Sequence, residues 1–228
     1  MSVQQNAHYR WLEISGTIQT VMDMSDPHIP VLPHLHGMLL SLYYLDTKPQ
    51  KMFELGLGGG ALQRFFHHHF PTASFCSAEL DERVIDYYVK FFADTIEAPE
   101  SYIVHANAQD IVQHESDIDL LFVDLFSGSA PPDFINDISF YENCFNAIND
   151  SGIVVINLLP LGEIQTLDVE SLLLKVSGYT PAIFSIPFYK NRILIAAKRR
   201  LGRIPFTQKF QQFCEKLDIE LMNILQLK

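Results

Sequence analysis

The chain has 228 residues, 48% hydrophobic and 19% charged, which suits one globular domain with a full core, with or without a small appendage. Lys plus Arg number 16 against 27 for Asp plus Glu, a formal charge of −11; this argues against nucleic acid as the main partner and weakly suits a cationic one. Cys76, Cys144 and Cys214 form no CxxC pair, and no apolar run reaches the roughly 20 residues of a membrane span. A zinc knuckle, a disulfide framework and a membrane anchor are therefore not indicated, and the chain reads as a soluble, unprocessed protein of the reducing cytoplasm.

Residues 8–24 alternate apolar and polar side chains on both sides of Ser15 and Gly16, the pattern of a β-hairpin. A Pro-rich lead-in follows, then helical spacing from Leu35 to Leu45. These segments form a first unit, 1–46, with a single hairpin as its sheet. From Lys51 onward strand-like and helix-like segments alternate, which predicts an α/β, Rossmann-like unit over 47–228. Strands are expected near 51–56, 74–79, 102–106, 118–124, 152–158, 181–187 and 191–197. Helices are expected near 60–69, 82–93, 108–114, 138–148, 163–177 and 206–226. The few residues around Tyr189 to Asn191 cannot carry a parallel crossover, so the mostly parallel seven-stranded sheet should end in an antiparallel hairpin.

The stretch KMFELGLGGGALQRFF places Gly56, Gly58, Gly59 and Gly60 between a strand and a helix. Glycine serves there because the turn needs positive φ and a ligand must approach the backbone closely. No Lys-Ser/Thr follows, which excludes a Walker loop, and the Gly56, Gly58, Gly60 spacing departs from the nicotinamide fingerprint GxGxxG. With Glu54 ahead, the pattern is ExGxGxG, that of class I methyltransferase-like folds binding S-adenosylmethionine or a relative. Glu79, at the tip of the second strand, is placed to accept from ribose hydroxyls; with Asp81 it could instead cap the helix starting at Glu82. Asn107 and Ala108, at the third tip, offer adenine recognition or loop capping. Asp124 ends the fourth buried strand, where a catalytic carboxylate or a capping residue for the next loop would sit.

Two clusters are read as having no ligand role. His67, His68 and His69 are consecutive, so on a helix they diverge; they are expected to form an exposed helix end and to hold no metal jointly. Lys198, Arg199, Arg200 and Arg203 read as a solvated junction before the tail helix.

Taken together, SGTIQ, LHGMLL, ELGLGGG, AELD, NAQD and LLFVDLF resemble the spermidine synthase family of polyamine aminopropyltransferases, in particular short bacterial members, from about Ile14 to Ile195. The resemblance implies decarboxylated S-adenosylmethionine over the glycine turn, Glu79 on the ribose, Asn107 near the adenine, and Gln19 and His36 closing from the N-terminal side. It further implies Asp124 as the base that orients an amine acceptor, a polyamine among the candidates, and takes its proton, with no metal required. A homodimer is implied as well. Two acids usual in the family are missing, with Ser127 and Gly37 in their places. The alternatives are methyl transfer from intact S-adenosylmethionine and a non-catalytic adenosyl-ligand-binding homologue.

Overall fold

Leu12 and Met22, on neighbouring alternating runs, turn inward onto Tyr88 and Phe92, and this apolar contact seats the N-terminal sheet on the rest of the protein. In the computed structural model, which describes residues 1–126, 131–221 and 224–227, that sheet has three strands: β1 (Ser2–Gln5), β2 (Tyr9–Ile14) and β3 (Thr17–Asp23), all antiparallel. Ser15 and Gly16 have φ of 52° and 79°, the mirror-image turn whose twist matches that of paired strands. The sheet is thus larger than the single hairpin expected. Strand β1 is polar and mostly exposed, so it has no apolar alternation to betray it; it forms by pairing with the open edge of β2.

Pro33 starts α1 (Pro33–Leu39), where a missing N–H costs nothing, and the helix tightens into a 3₁₀ turn over Leu40–Tyr44. Leu35, Met38 and Leu39 pack into the main core. At Gly37 a Cβ would lie 2.9 Å from Ile193 Cγ1 and 3.2 Å from Ile186 Cδ1. That side of α1 therefore faces packed aliphatic carbon.

The remaining elements are β4 (Lys51–Leu55), α2 (Ala61–His69), β5 (Ser74–Glu79), α3 (Glu82–Phe91), β6 (Ile103–His105), α4 (Ala108–Ile111) and β7 (Ile118–Val123). They continue with α5 (Ile138–Ala147), β8 (Ile148–Leu158), α6 (Glu163–Ser177), β9 (Ala182–Ser185), β10 (Arg192–Ala197), α7 (Gln208–Lys216) and β11 (Leu225–Gln226). Asp81 does cap α3, its Oδ1 accepting from the Arg83 N–H at 3.0 Å. Strand order in the main sheet is β11-β9-β10-β8-β7-β4-β5-β6, with β4 to β8 parallel and β10 antiparallel to both β8 and β9. Among the described residues this makes eight strands, one more than expected.

The extra strand comes from the tail, where a helix over 206–226 was expected. Helix α7 stops at Lys216 because Asp218 takes φ of 52°, and the chain then buries Ile219 and Ile224 and adds β11 to the edge of β9. Short apolar runs fit either structure; here the unpaired edge of β9 decides. Two corrections concern charged clusters. Lys198, Arg200 and Arg203 are exposed as expected, Lys198 Nζ donating to the Ile148 carbonyl (2.8 Å), and the departure is Arg199, whose Nη2 donates to the Tyr44 carbonyl (2.6 Å) and ties the end of β10 to the 3₁₀ turn. Of the three histidines ending α2, only His68 is exposed. His67 Nε2 meets Gln63 Oε1 at 3.1 Å, while His69 is largely buried, and burial pushes its imidazole down to about 4.

One core layer lies between the sheet and α1, α2 and α7, around Phe66, Phe122 and Ile153; the other lies between it and α5 and α6, around Leu121, Val154 and Leu173. The chain runs outward from β4 through β5 to β6, then returns to build β7 and β8 on the other side of β4. The carboxyl ends of β4 and β7 thus flank a switch point, where an open α/β sheet leaves a crevice. Among the described residues no helix is long and apolar enough to cross a membrane.

Candidate active site

The tips of β4, β5 and β7 are laced together by backbone bonds: Gly56 N–H donates to Ala78 O (2.8 Å) and Asp124 N–H to Leu55 O (2.9 Å). Gly56, at φ 97°, passes so close to β7 that a Cβ would lie 2.2 Å from the Asp124 carbonyl oxygen. Gly58, at φ 52°, has nothing within 4 Å of the position its Cβ would take, so the backbone there is bare toward open space. Gly60 serves differently: a Cβ would strike the Tyr88 ring at 2.0 Å. It packs the turn onto α3 and lines neither of the two cavities that meet here.

The first cavity, about 400 Å³, is lined by Gln19, Gly56, Gly58, Glu79, Asn107, Ala108 and Asp124, among others. Glu79 is held from several sides. Its Oε2 accepts from the Leu57 N–H (3.1 Å), and its Oε1 from those of Leu80 (2.9 Å) and Asp81 (3.0 Å). Three of its roughly four lone-pair sites are used, so about one remains. Asn107 Oδ1 accepts from the Gln109 N–H at 2.9 Å, capping α4. Capping and cavity lining therefore coexist in one side chain, and the donating half of its amide is left for a ligand.

The second cavity, about 280 Å³, adjoins the first and shares Gln19, Gly56, Gly58, Asp124 and Phe126 with it. Thr17, Thr20, His34, Glu54, Asn157, Tyr189 and Asn191 supply its other polar side chains. Asp124 stands where the cavities meet. Its Oδ1 accepts from Asn157 Nδ2 (2.8 Å), whose Oδ1 accepts from Asn191 Nδ2 (2.8 Å), so two amides in series fix one carboxylate oxygen. Burial pushes the Asp124 carboxyl up, and nearby His34 and the Asn157 hydrogen bond pull it part of the way down.

Glu54 lines the second cavity and not the first, which departs from its expected place in the cofactor cradle. Its Oε2 accepts from Ser77 Oγ (2.6 Å), which in turn accepts from Gln63 Nε2 (2.9 Å). Burial pushes this carboxyl well above the usual range, and the charges of Asp124 and Glu79 act in the same direction. His36 also departs from expectation. It is buried away from both cavities, and its Nδ1 accepts from the Glu220 N–H at 3.1 Å. Residues two apart on a helix differ by about 200°, so only one of His34 and His36 can face the site; it is His34.

Asn157 had a signal that the sequence reading passed over: it is the lone amide in the apolar run IVVINLL of β8. Asn191 and Tyr189 had none, since they stand between two short strands and their position depends on how β10 folds back. Ser127 and Gly128 lie outside the described residues. No Lys or Arg lines either cavity among the described residues.

No family model matches the chain. In sequence it is similar to the polyamine aminopropyltransferase of Chromobacterium violaceum, 30% identical over 159 residues, and to that of Neisseria meningitidis serogroup A, 26% identical over 159 residues. Each match covers 69% of this chain but 60% of the relative, so the chain spans about three fifths of the length of these relatives. In fold it is similar to a probable spermidine synthase from Corynebacterium glutamicum, with a TM-score of 0.84 and 16% identity, over 98% of this chain and 85% of that one. It also resembles human methyltransferase-like protein 13 in complex with SAH (TM-score 0.69, 20% identity, 82% and 91% covered). A spermidine synthase bound to the transition-state analogue AdoDATO gives 0.67 at 16% identity, with 96% and 88% covered. By sequence and fold together, the chain is spermidine-synthase-like, on a methyltransferase-like α/β fold.

Proposed function

We propose that the protein is an aminopropyltransferase that moves an aminopropyl group from decarboxylated S-adenosylmethionine to a small amine acceptor. The observation that carries this is the position of Asp124 at the junction of two cavities, one suited to an adenosyl group and one to an amine. In the first, Gly58 leaves room for the nucleoside, Glu79 offers its remaining lone pair to a ribose hydroxyl, and Asn107 donates to an adenine ring nitrogen; Gln19 closes the side nearest β3. A nucleoside can lie against the backbone at Gly58, because no described atom comes within 4 Å of the position its Cβ would take.

Chemistry then follows at the junction. An amine nitrogen attacks the propyl carbon beside the sulfonium; the C–S bond breaks, and its electron pair stays on sulfur as methylthioadenosine leaves. An amine of solution pKa about 10 arrives protonated, and Asp124 accepts its proton through the carboxylate oxygen that Asn157 leaves free. The carboxyl groups of Asp124 and Glu54, with no Lys or Arg among the described residues lining either cavity, also favour the decarboxylated donor over the intact one, whose carboxylate would find no cation there. Methyl transfer is therefore set aside. The packing around Gly37 leaves no room there for an acid, so acceptor recognition passes to His34, Glu54, Asn157, Tyr189 and Asn191. We further propose a cytoplasmic homodimer in which 1–46 closes over 47–228; light scattering at twice the chain mass is the expected result for the dimer.

Calorimetry should show decarboxylated S-adenosylmethionine binding more tightly than the intact form, and equal affinities would sink the donor assignment. Asp124→Asn should lower turnover at least about a hundredfold, at the low end of what general-base loss costs, while methylthioadenosine still binds within a few-fold of wild type. Full activity in that variant would remove Asp124 from the mechanism.

A further inference from the structure

The expectation that 67–69 diverge holds for His67, which turns toward Gln63 and Tyr102. It fails for the other two, because a third histidine comes from elsewhere. His28, in the Pro-rich loop before α1, stacks on His68 with ring centroids 3.6 Å apart and meets His69 edge-on at 5.7 Å. One ligating nitrogen from each of His28, His68 and His69 lies within 4.8 Å of the others. Asp218 approaches from behind α7, its Oδ2 3.7 Å from His69 Nε2 and 4.0 Å from His28 Nε2.

His69 is the informative member. Its side chain is 10% exposed, and its Nε2 is buried with no hydrogen-bond partner. Leaving a buried nitrogen without a partner is costly, and this one faces two imidazoles and a carboxylate. We propose that His28, His68 and His69, with Asp218 as the fourth donor, form a binding site for a divalent transition metal of the zinc class, separate from the substrate cavities. Three imidazoles and one carboxylate are donors that zinc accepts in tetrahedral geometry, whereas Mg²⁺ and Ca²⁺ take oxygen ligands. Donors around a tetrahedral ion at about 2.0–2.1 Å stand roughly 3.3 Å apart, so the longest separation must shrink. The exposed His68 ring is the part free to close it.

The site would tie together three segments distant in sequence. Helix α2 begins at the glycine turn, the His28 loop leads into the helix that carries His34, and Asp218 follows α7. A metal here would fasten the end of α2 opposite the glycine turn to the N-terminal loop.

Zn²⁺ titrated into the chelator-stripped full-length protein, in competition with a chromophoric chelator, should show one ion bound per chain. At a hundredfold excess over the dissociation constant the melting temperature should rise by about 5–10 °C, and Mg²⁺ should leave it unchanged. His28→Ala, on a loop, should weaken Zn²⁺ at least about a hundredfold, exceeding the loss of an outer-shell partner; His67→Ala should not change it. X-ray absorption of the loaded protein should show three histidine-type nitrogens at about 2.0–2.1 Å. Absence of micromolar Zn²⁺ binding, an equal thermal shift with Mg²⁺, or wild-type affinity in folded His28→Ala would each overturn the assignment.

Discussion

At Asp124 two influences of opposite sign meet. Burial raises the carboxyl, while the hydrogen bond from Asn157 and the neighbouring His34 lower it, and burial is the larger. The acid limb of kcat/KM should therefore stand above the ordinary aspartate value of about 3.9. Removing a donor to the charged form raises the carboxyl further, so Asn157→Ala should move the limb to still higher pH. A pH–rate profile of both proteins measures this, and a limb that stays in place would remove Asn157 from the control of the Asp124 carboxyl. Glu79 and Asp124 were visible in the sequence because each stands at the end of a run that had to be a buried strand, as IDLLFVD does for Asp124. Histidine roles were not, because HLH gives no phase: helical geometry permits one of the pair to face the site, and only the packing of α1 against Ile193 and Ile186 says which.

Among the elements, α2 is held at its glycine end by a buried cation. Arg64 donates to the carbonyls of Pro27 (2.8 Å), Gly59 and Phe92 (3.2 Å), joining the N-terminal loop, the glycine turn and the end of α3. Burial lowers its guanidinium only to about 10, so it remains charged at neutral pH. Arg64→Leu would leave several of these acceptors unsatisfied and should destabilise the fold by about 3 kcal/mol in denaturant titration. A change below about 1 kcal/mol would mean that water replaces the guanidinium. The alternation of β and α from Lys51 to Ser177 was legible because glycine, proline and capping residues punctuate it. The ends of the chain were less so. Strand β1 is polar and β11 is two residues long, and both exist because a neighbouring strand offers an unpaired edge, which is a tertiary fact.

For the molecule as a whole, protonation equilibria set how stability depends on pH. His28, His34, His36, His67 and His69 are all lowered from 6.5, mainly by burial. Their unfolded counterparts take up protons first, so the unfolded state gains as pH falls below about 6.5. Asp124 and Glu54 are raised and act the other way, since the folded state holds their protons longer. The histidines titrate inside the interval from pH 7 to 5, where their ordinary value of about 6.5 lies. The melting temperature of chelator-treated protein should thus fall steadily between pH 7 and 5; a rise over that interval would show that the carboxyls dominate. The adjoining cavities that share Asp124 have a kinetic meaning too. If both reactants must sit on opposite sides of one carboxylate, neither product can depart before the second substrate has arrived. Initial-rate plots against one substrate at fixed levels of the other should intersect, as for a sequential ternary complex, and parallel lines would require a covalently loaded enzyme that this arrangement does not provide for.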